Sequence, residues 1–344
     1  MSGSKKDNEA METARTRQPA RLREAAIGCA CALVTMIGAL AVGGSAFAVD
    51  AYPTRPVRII VPFPPGAITD AMGRIVATEL GKIVGQTVVV ENKPGAGTLI
   101  GTQATKNSPA DGYTVLFQLG SLVTNLHLLK QPGYALSDFK PVAMLGQSAY
   151  VLIASKKHPA LKDLVAFGKA HPGALNCSGT GDGAATVVGS KLKQAAGIEW
   201  TLINYKGGAG AVQAVMGGDV DISLPTQAAP LIYANPDKLS VLAITSSKRV
   251  EFLPDVPTFA ELGYPAIDAR TWFGLFVRSE TPPAALDKLK SALAEVLRSP
   301  SMQEQLRKLR ISPYEGSLDD VPARLQQELA DFAGEAGKLG IEPQ

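Results

Sequence analysis

From residue 56 onward the chain alternates short, apolar, β-branched runs with amphipathic segments of helix length. Past residue 155 the alternation starts again. Residues 57–63 read as a strand, a Pro-Pro-Gly turn follows, and a helix is predicted over about 70–84. A second strand (87–91) leads through a Gly-rich turn to a helix from about 98, and a third strand covers 113–117. This β-α-β-α-β order predicts a parallel sheet with right-handed crossovers and ligand-facing loops at the carboxyl ends of its strands. Residues 140–155 hold two apolar runs separated by Gly146-Gln147-Ser148, read as a strand that leaves one lobe and enters another. The restarted pattern has helices at 161–170, 183–196 and 209–216, and strands at 174–178, 201–205, 221–224 and 239–245. Residues 271–277 form the return crossing, and the mostly helical stretch from Pro282 packs back on the first lobe. The expectation is an α/β chain with lobe one at 49–147 plus 279–344 and lobe two at 148–278. Ligands favour such an interface.

The first 48 residues stand apart. A basic stretch (Arg15, Arg17, Arg21, Arg23) precedes an uncharged apolar run from Ala25 to Val42, which ends in Ala46-Phe47-Ala48. Basic, apolar and small-residue zones in that order make a secretory signal, with cleavage expected after Ala48 and the mature chain in the periplasm. Without a twin-arginine pair, export is expected through the general pathway. Removing 1–48 takes away six basic and four acidic residues, so the formal charge of +3 falls to +1. A near-neutral surface argues against nucleic-acid or anionic-membrane partners. Only Cys177 survives cleavage, so no internal disulfide is expected, and an apolar fraction of 46% must fill both cores.

Catalytic signals are missing. His127, His158 and His171 are scattered, with the last two placed on exposed loops ahead of prolines, and no zinc or nucleophile-elbow motif occurs. No metal or cofactor is expected. Gly95-Ala96-Gly97-Thr98-Leu99-Ile100-Gly101 has a dinucleotide-like cadence, but the next strand ends at Phe117-Gln118 without the acidic residue a ribose needs. What does recur is small, uncharged residues ahead of helices, where free backbone N–H groups and the helix dipole bind anions without arginine. Four such places supply the candidate ligand-binding residues. They are Pro65, Gly66, Ala67, Thr69 and Asp70; Ser121; Ser178, Thr180, Gly181, Gly183 and Thr186; and Tyr205, Lys206 and Gly207. Thr226 is added to them.

At these residues the sequence resembles the Bug-type receptors of tripartite tricarboxylate transporters. The resemblance is carried by Arg55-Pro56-Val57-Arg58-Ile59-Ile60-Val61-Pro62-Phe63-Pro64-Pro65-Gly66, by Val90-Glu91-Asn92-Lys93-Pro94-Gly95-Ala96-Gly97, and by Ala110-Asp111-Gly112-Tyr113-Thr114. Tyr205-Lys206-Gly207, Leu253-Pro254-Asp255-Val256-Pro257-Thr258 and Trp272-Phe273-Gly274-Leu275-Phe276 extend it over the mature chain. The resemblance implies a type II periplasmic-binding-protein fold, a "Venus flytrap" whose lobes each carry a mostly parallel, mixed sheet flanked by helices. It implies a non-enzymatic receptor, expected as a monomer, that holds a small carboxylate for a permease of one large and one small membrane subunit. A sensor receptor feeding a membrane signalling partner, and an enzyme acting on a carboxylate, stay open as alternatives. Three departures bear on the ligand. Ala67 stands where the family has a second glycine, Gly183-Ala184-Ala185-Thr186-Val187 lacks the family's serine at 184 and histidine at 187, and Pro225-Thr226 replaces an Asp-Asn pair. Lost polar groups imply a less polar partner, such as an aromatic carboxylate.

Overall fold

A computed structural model describes residues 52–179, 183–205 and 207–341; the segment expected to be a secretory signal lies outside them. In the first sheet β1 (Val57–Val61) pairs in parallel with β2 (Val88–Asn92) on one side and β3 (Thr114–Gln118) on the other. Two further strands complete it, β4 (Phe139–Ala149) and β10 (Arg270–Arg278), and the order is β2-β1-β3-β10-β4. Strand β10 runs antiparallel to both of its neighbours, so the sheet is mixed.

β1 shows why these residues make an inner strand. Val57, Ile59 and Val61 point to one face with Met72, Val76 and Leu80 of helix α1 (Ile68–Val84), while Ile60 points to the other with Leu116, Leu122 and Val123. A strand covered on both faces is apolar toward each of them, Arg58 alone reaching out of β1 to Glu91, and each such apolar side chain contributes about 1.5–3 kcal/mol on burial. Met72, Val76 and Leu80 recur every four residues, the spacing of one helix face. The helix stops at Gly85, whose left-handed backbone (φ 68°) returns its N–H to the Gly81 carbonyl. Helix α2 (Leu99–Lys106) lies so close to the end of β1 that a Cβ on Gly101 would sit 2.6 Å from the Pro62 Cβ and 3.0 Å from the Lys93 carbonyl. The last glycine of the dinucleotide-like run is thus needed for helix-to-strand packing. Helix α3 (Ser121–Leu128) follows β3.

Strand β4 passes through Tyr150 directly into β5 (Val151–Ser155), which belongs to the second sheet. That sheet also contains β6 (Leu175–Gly179), β7 (Trp200–Asn204), β8 (Ile222–Ser223) and β9 (Leu239–Ile244), in the order β7-β6-β8-β5-β9. β6 is parallel to β7 and β8, and β5 is antiparallel to β8 and β9. Helices α4 (Leu161–Ala170), α5 (Gly183–Ala196), α6 (Gly207–Gly217) and the short α7 (Pro230–Ala234) accompany it. At the crossing, the Thr245 hydroxyl lies 2.9 Å from the Tyr150 N–H and donates to the Ala269 carbonyl at 2.6 Å. One hydroxyl thereby ties the outgoing strand to the returning one.

Because β10 pairs in the first sheet along its whole length, we place the chain's return at residue 270 rather than at 279. Trp272 and Phe273 on that strand are core residues. Helices α8 (Pro283–Arg298) and α9 (Pro300–Lys308) then cover the α1 face, and α10 (Val321–Lys338) packs on α3. His171 is exposed, but His158 is not: it is buried against the Phe167 ring, at 5.0 Å between centroids. Burial favours its neutral form and lowers its pKa, more than the nearby Asp221 raises it. Its proline neighbour signalled a turn but not which side of the turn faces the core.

Candidate functional site

Where the two sheets' loops face each other, a cavity of about 130 Å³ opens beside Tyr150. The first lobe lines it with Phe63, Pro64, Gly66, Ala67, Ile68, Thr69, Leu119 and Ser121. The second lobe contributes Gly207, Gly208, Ala209 and Val212, then Pro225, Thr226, Ala229, Pro230 and Leu231. The lining among the described residues contains no charged side chain.

The start of α1 carries the main polar feature. Its N-cap is Ala67, which has no side-chain oxygen to accept from the first turn. The N–H groups of Ile68, Thr69 and Asp70 therefore have no acceptor from the helix or its cap. The Thr69 hydroxyl is buried, lines the cavity and has no hydrogen-bond partner. Gly66 holds a left-handed conformation (φ 82°) that turns the chain into the helix. Ala67 is extended (φ −69°, ψ 161°), so the residue that departs from the family pattern sits where no glycine is needed.

Asp70 does not line the cavity. Its carboxylate accepts from the Gly66 N–H at 3.0 Å, from Asn92 Nδ2 at 3.0 Å and from Arg74, clamping the Pro-Pro-Gly turn. Burial pushes its pKa up, but the Arg74 hydrogen bond, the Gly66 N–H and Asn92 outweigh it and hold the group below its ordinary 3.8. A folded-state pKa lowered in this way stabilises the fold above about pH 4, and the contribution is lost as pH falls through the lowered value. Asp70→Ala strands the Gly66 N–H and the Asn92 amide, so unfolding at pH 7 should cost about 3 kcal/mol less. Chemical denaturation from pH 7 to pH 2 should show the variant losing less stability on acidification than the wild type.

The other expected residues are dispersed. Ser121 lies on the cavity wall with its hydroxyl donating to Gln118 Oε1 at 2.9 Å. Gly207 and Thr226 line the opposite wall. Thr226 is held there because Gln227 N–H donates to the Ala149 carbonyl at 2.8 Å and Val151 N–H to the Pro225 carbonyl at 2.9 Å. Pro65 is not part of the lining. Ser178 is buried and donates to the Ala211 carbonyl at 3.0 Å, tying β6 to α6. With Thr186 it borders a separate hollow of about 140 Å³. Gly183 touches α3 of the facing lobe, and Tyr205 packs on the second lobe's core. Thr180, Gly181 and Lys206 lie outside the described residues. The sequence reading missed Phe63, Ile68, Leu119, Tyr150, Val212 and the 229–231 segment. Tyr150 had a usable signal, an aromatic residue at the junction of the two crossing runs; the aliphatic residues had none. No group of acidic, histidine or cysteine side chains suited to a metal ion occurs among the described residues.

The sequence profile of the family described as "Tripartite tricarboxylate transporter family receptor" matches residues 72–335. Protein BugT of Bordetella pertussis is 37% identical over 302 residues, 85% of this chain and 92% of its own. The solved periplasmic binding protein BugD superposes with a TM-score of 0.79 at 32% identity, covering 85% of this chain and 100% of that one. An R. palustris protein solved with adipate gives 0.80 at 28% identity, over 85% and 100%. The α/β, two-sheet architecture is thus that of periplasmic binding proteins, as the family resemblance implied.

Proposed function

Since the chain belongs to the tripartite tricarboxylate transporter receptor family, we propose that its cavity captures a small carboxylate in the periplasm, for delivery to a membrane permease and without chemical conversion. The observation that carries the proposal is the uncapped start of α1, with its free N–H groups and the unpaired, buried Thr69 hydroxyl, opening into a space walled by both lobes. Such an array satisfies an anion by fixed dipoles, with no cation to neutralise. The adipate bound to the R. palustris protein supports a carboxylate as the solute class. The proposed contacts are the N–H groups of 68–70, Thr69 Oγ1, the Gly207 and Gly208 backbone and Thr226. The leader at 1–48 serves export and is removed after Ala48.

A thermal-denaturation screen tests this reading. At a hundredfold excess over Kd a ligand stabilises by about 2.7 kcal/mol, which raises the midpoint by several degrees. Carboxylates should give such shifts and be recovered chemically unchanged, whereas neutral sugars and amines should give none. Shifts by sugars or amines without any by carboxylates, or conversion of the bound acid, would refute it.

A further inference from the structure

Resting on that carboxylate reading, we propose that the solute is a hydroxycarboxylate whose hydroxyl donates a hydrogen bond to Ser121 Oγ. Gln118, the last residue of β3, is fully buried, and its side-chain amide is oriented by the backbone. The Leu119 N–H can only donate, and it reaches that amide at 2.8 Å, so the atom it meets is the carbonyl Oε1. On the other side Nε2 donates to the hydroxyls of Thr98 and Thr102, each at 3.0 Å. The Ser121 hydroxyl also meets Oε1, at 2.9 Å. A carbonyl oxygen only accepts, so Ser121 gives its one proton to Gln118.

Ser121 lines the cavity and accepts from no other described residue. With its proton committed, its oxygen has only lone pairs to offer a solute. A free hydroxyl such as that of Thr69 rotates to donate or to accept, whereas Ser121 can donate to a solute only by giving up its bond to Gln118. A carboxylate oxygen placed here would meet lone pairs, so the anion belongs at the start of α1 and a donor belongs at Ser121. In a space of about 130 Å³ a solute held at α1 also reaches the Ser121 wall. A hydroxyl brings the one donor this wall can satisfy. An ammonium brings three, together with a charge that no carboxylate on the described lining balances, and its burial costs more. A site built to bond a solute's hydroxyl also rejects the analogue that lacks it. Gln118 thus positions the proton, and Ser121 makes the contact that distinguishes hydroxy acids from plain acids and amino acids.

The test is calorimetric titration of the mature chain with malate, succinate and aspartate, and with mandelate, phenylacetate and phenylglycine. Within each set the acids share a carbon skeleton and differ by a hydroxyl, a hydrogen or an ammonium. In whichever set binds, the hydroxy acid should bind at least tenfold more tightly than either companion. Ser121→Ala should reduce its preference over the plain acid to less than threefold, while the plain acid's own affinity changes less than threefold. Gln118→Met, which removes the acceptor and frees the Ser121 proton, should abolish the preference and still bind the plain acid. Gln118→Glu, which keeps an acceptor for both Leu119 and Ser121, should retain the preference. Plain or amino acids binding as tightly as the hydroxy acids, or a preference that survives Ser121→Ala, would overturn the inference and leave the carboxylate reading standing. Absence of binding by all six acids would remove both.

Discussion

Gly183→Leu is expected to weaken solute binding at least 100-fold while moving the unfolding midpoint by no more than a few degrees. Gly183 opens α5 in the second lobe, and its neighbours are on α3 in the first. A Cβ there would stand 2.4 Å from Leu128 Cδ1 and 2.8 Å from both Cβ and Oγ1 of Thr124. The Leu128 methyl can swing aside, but the Thr124 Cβ is fixed to its helix, so a leucine must drive α3 and α5 apart. The remaining contacts on this face then open too: Lys191 with Glu335 of α10, and Val187 with Phe332 and Ala336. The cavity is walled by both lobes, so separating them removes half of the solute's contacts and admits water. A hundredfold loss corresponds to about 2.8 kcal/mol. Each lobe keeps its own core, which is why stability should change little. Calorimetric titration with the best acid from the screen, together with scanning calorimetry, reads both quantities. Unchanged affinity would mean that the contact between α3 and α5 does not belong to the binding-competent form.

Gly183 also illustrates where sequence reasoning stops. The elements themselves were legible, because β1, β3 and β5 are mostly apolar runs of strand length, interrupted internally only by Arg58, and α1 repeats its apolar residues every four positions. A small residue ahead of a helix, in contrast, has the same signature whatever approaches it. At Gly66 the cause is a positive φ, at Gly183 another helix, at Ser178 two backbone carbonyls, and at Gly101 the end of a neighbouring strand. Pairing is equally silent in local patterns: β10 inserts between β3 and β4 across more than a hundred residues of chain, and its own composition suits either sheet. The apolar wall of the cavity was hidden for a related reason. Val212 and Leu231 occupy positions that any buried helix face would fill with the same side chains. The departures at Ala184, Val187 and Pro225 still pointed toward a less polar solute. Of these, Pro225 is on the cavity wall, while Ala184 and Val187 border the groove beneath α10.

Replacing the carboxylate of the best-binding acid by its primary amide should cost at least 100-fold in affinity, because the proposed contacts are all hydrogen-bond donors or neutral groups. The uncapped N–H groups of α1 and the Thr69 hydroxyl are hydrogen-bond donors with no partner in the cap. A carboxylate accepts from several of them at once, whereas an amide presents one acceptor and a competing NH2. Each donor to a charged group that is left stranded costs about 1–3 kcal/mol, so two of them account for the expected loss. The described lining carries no cation, and buried contacts are screened little by salt. Affinity for the acid should therefore change less than threefold between low and moderate ionic strength. Paired calorimetric titrations of the acid and its amide at pH 7 are the most direct measurement. The account predicts tight binding of the acid and at least 100-fold weaker binding of the amide; equal affinity for the two would contradict it.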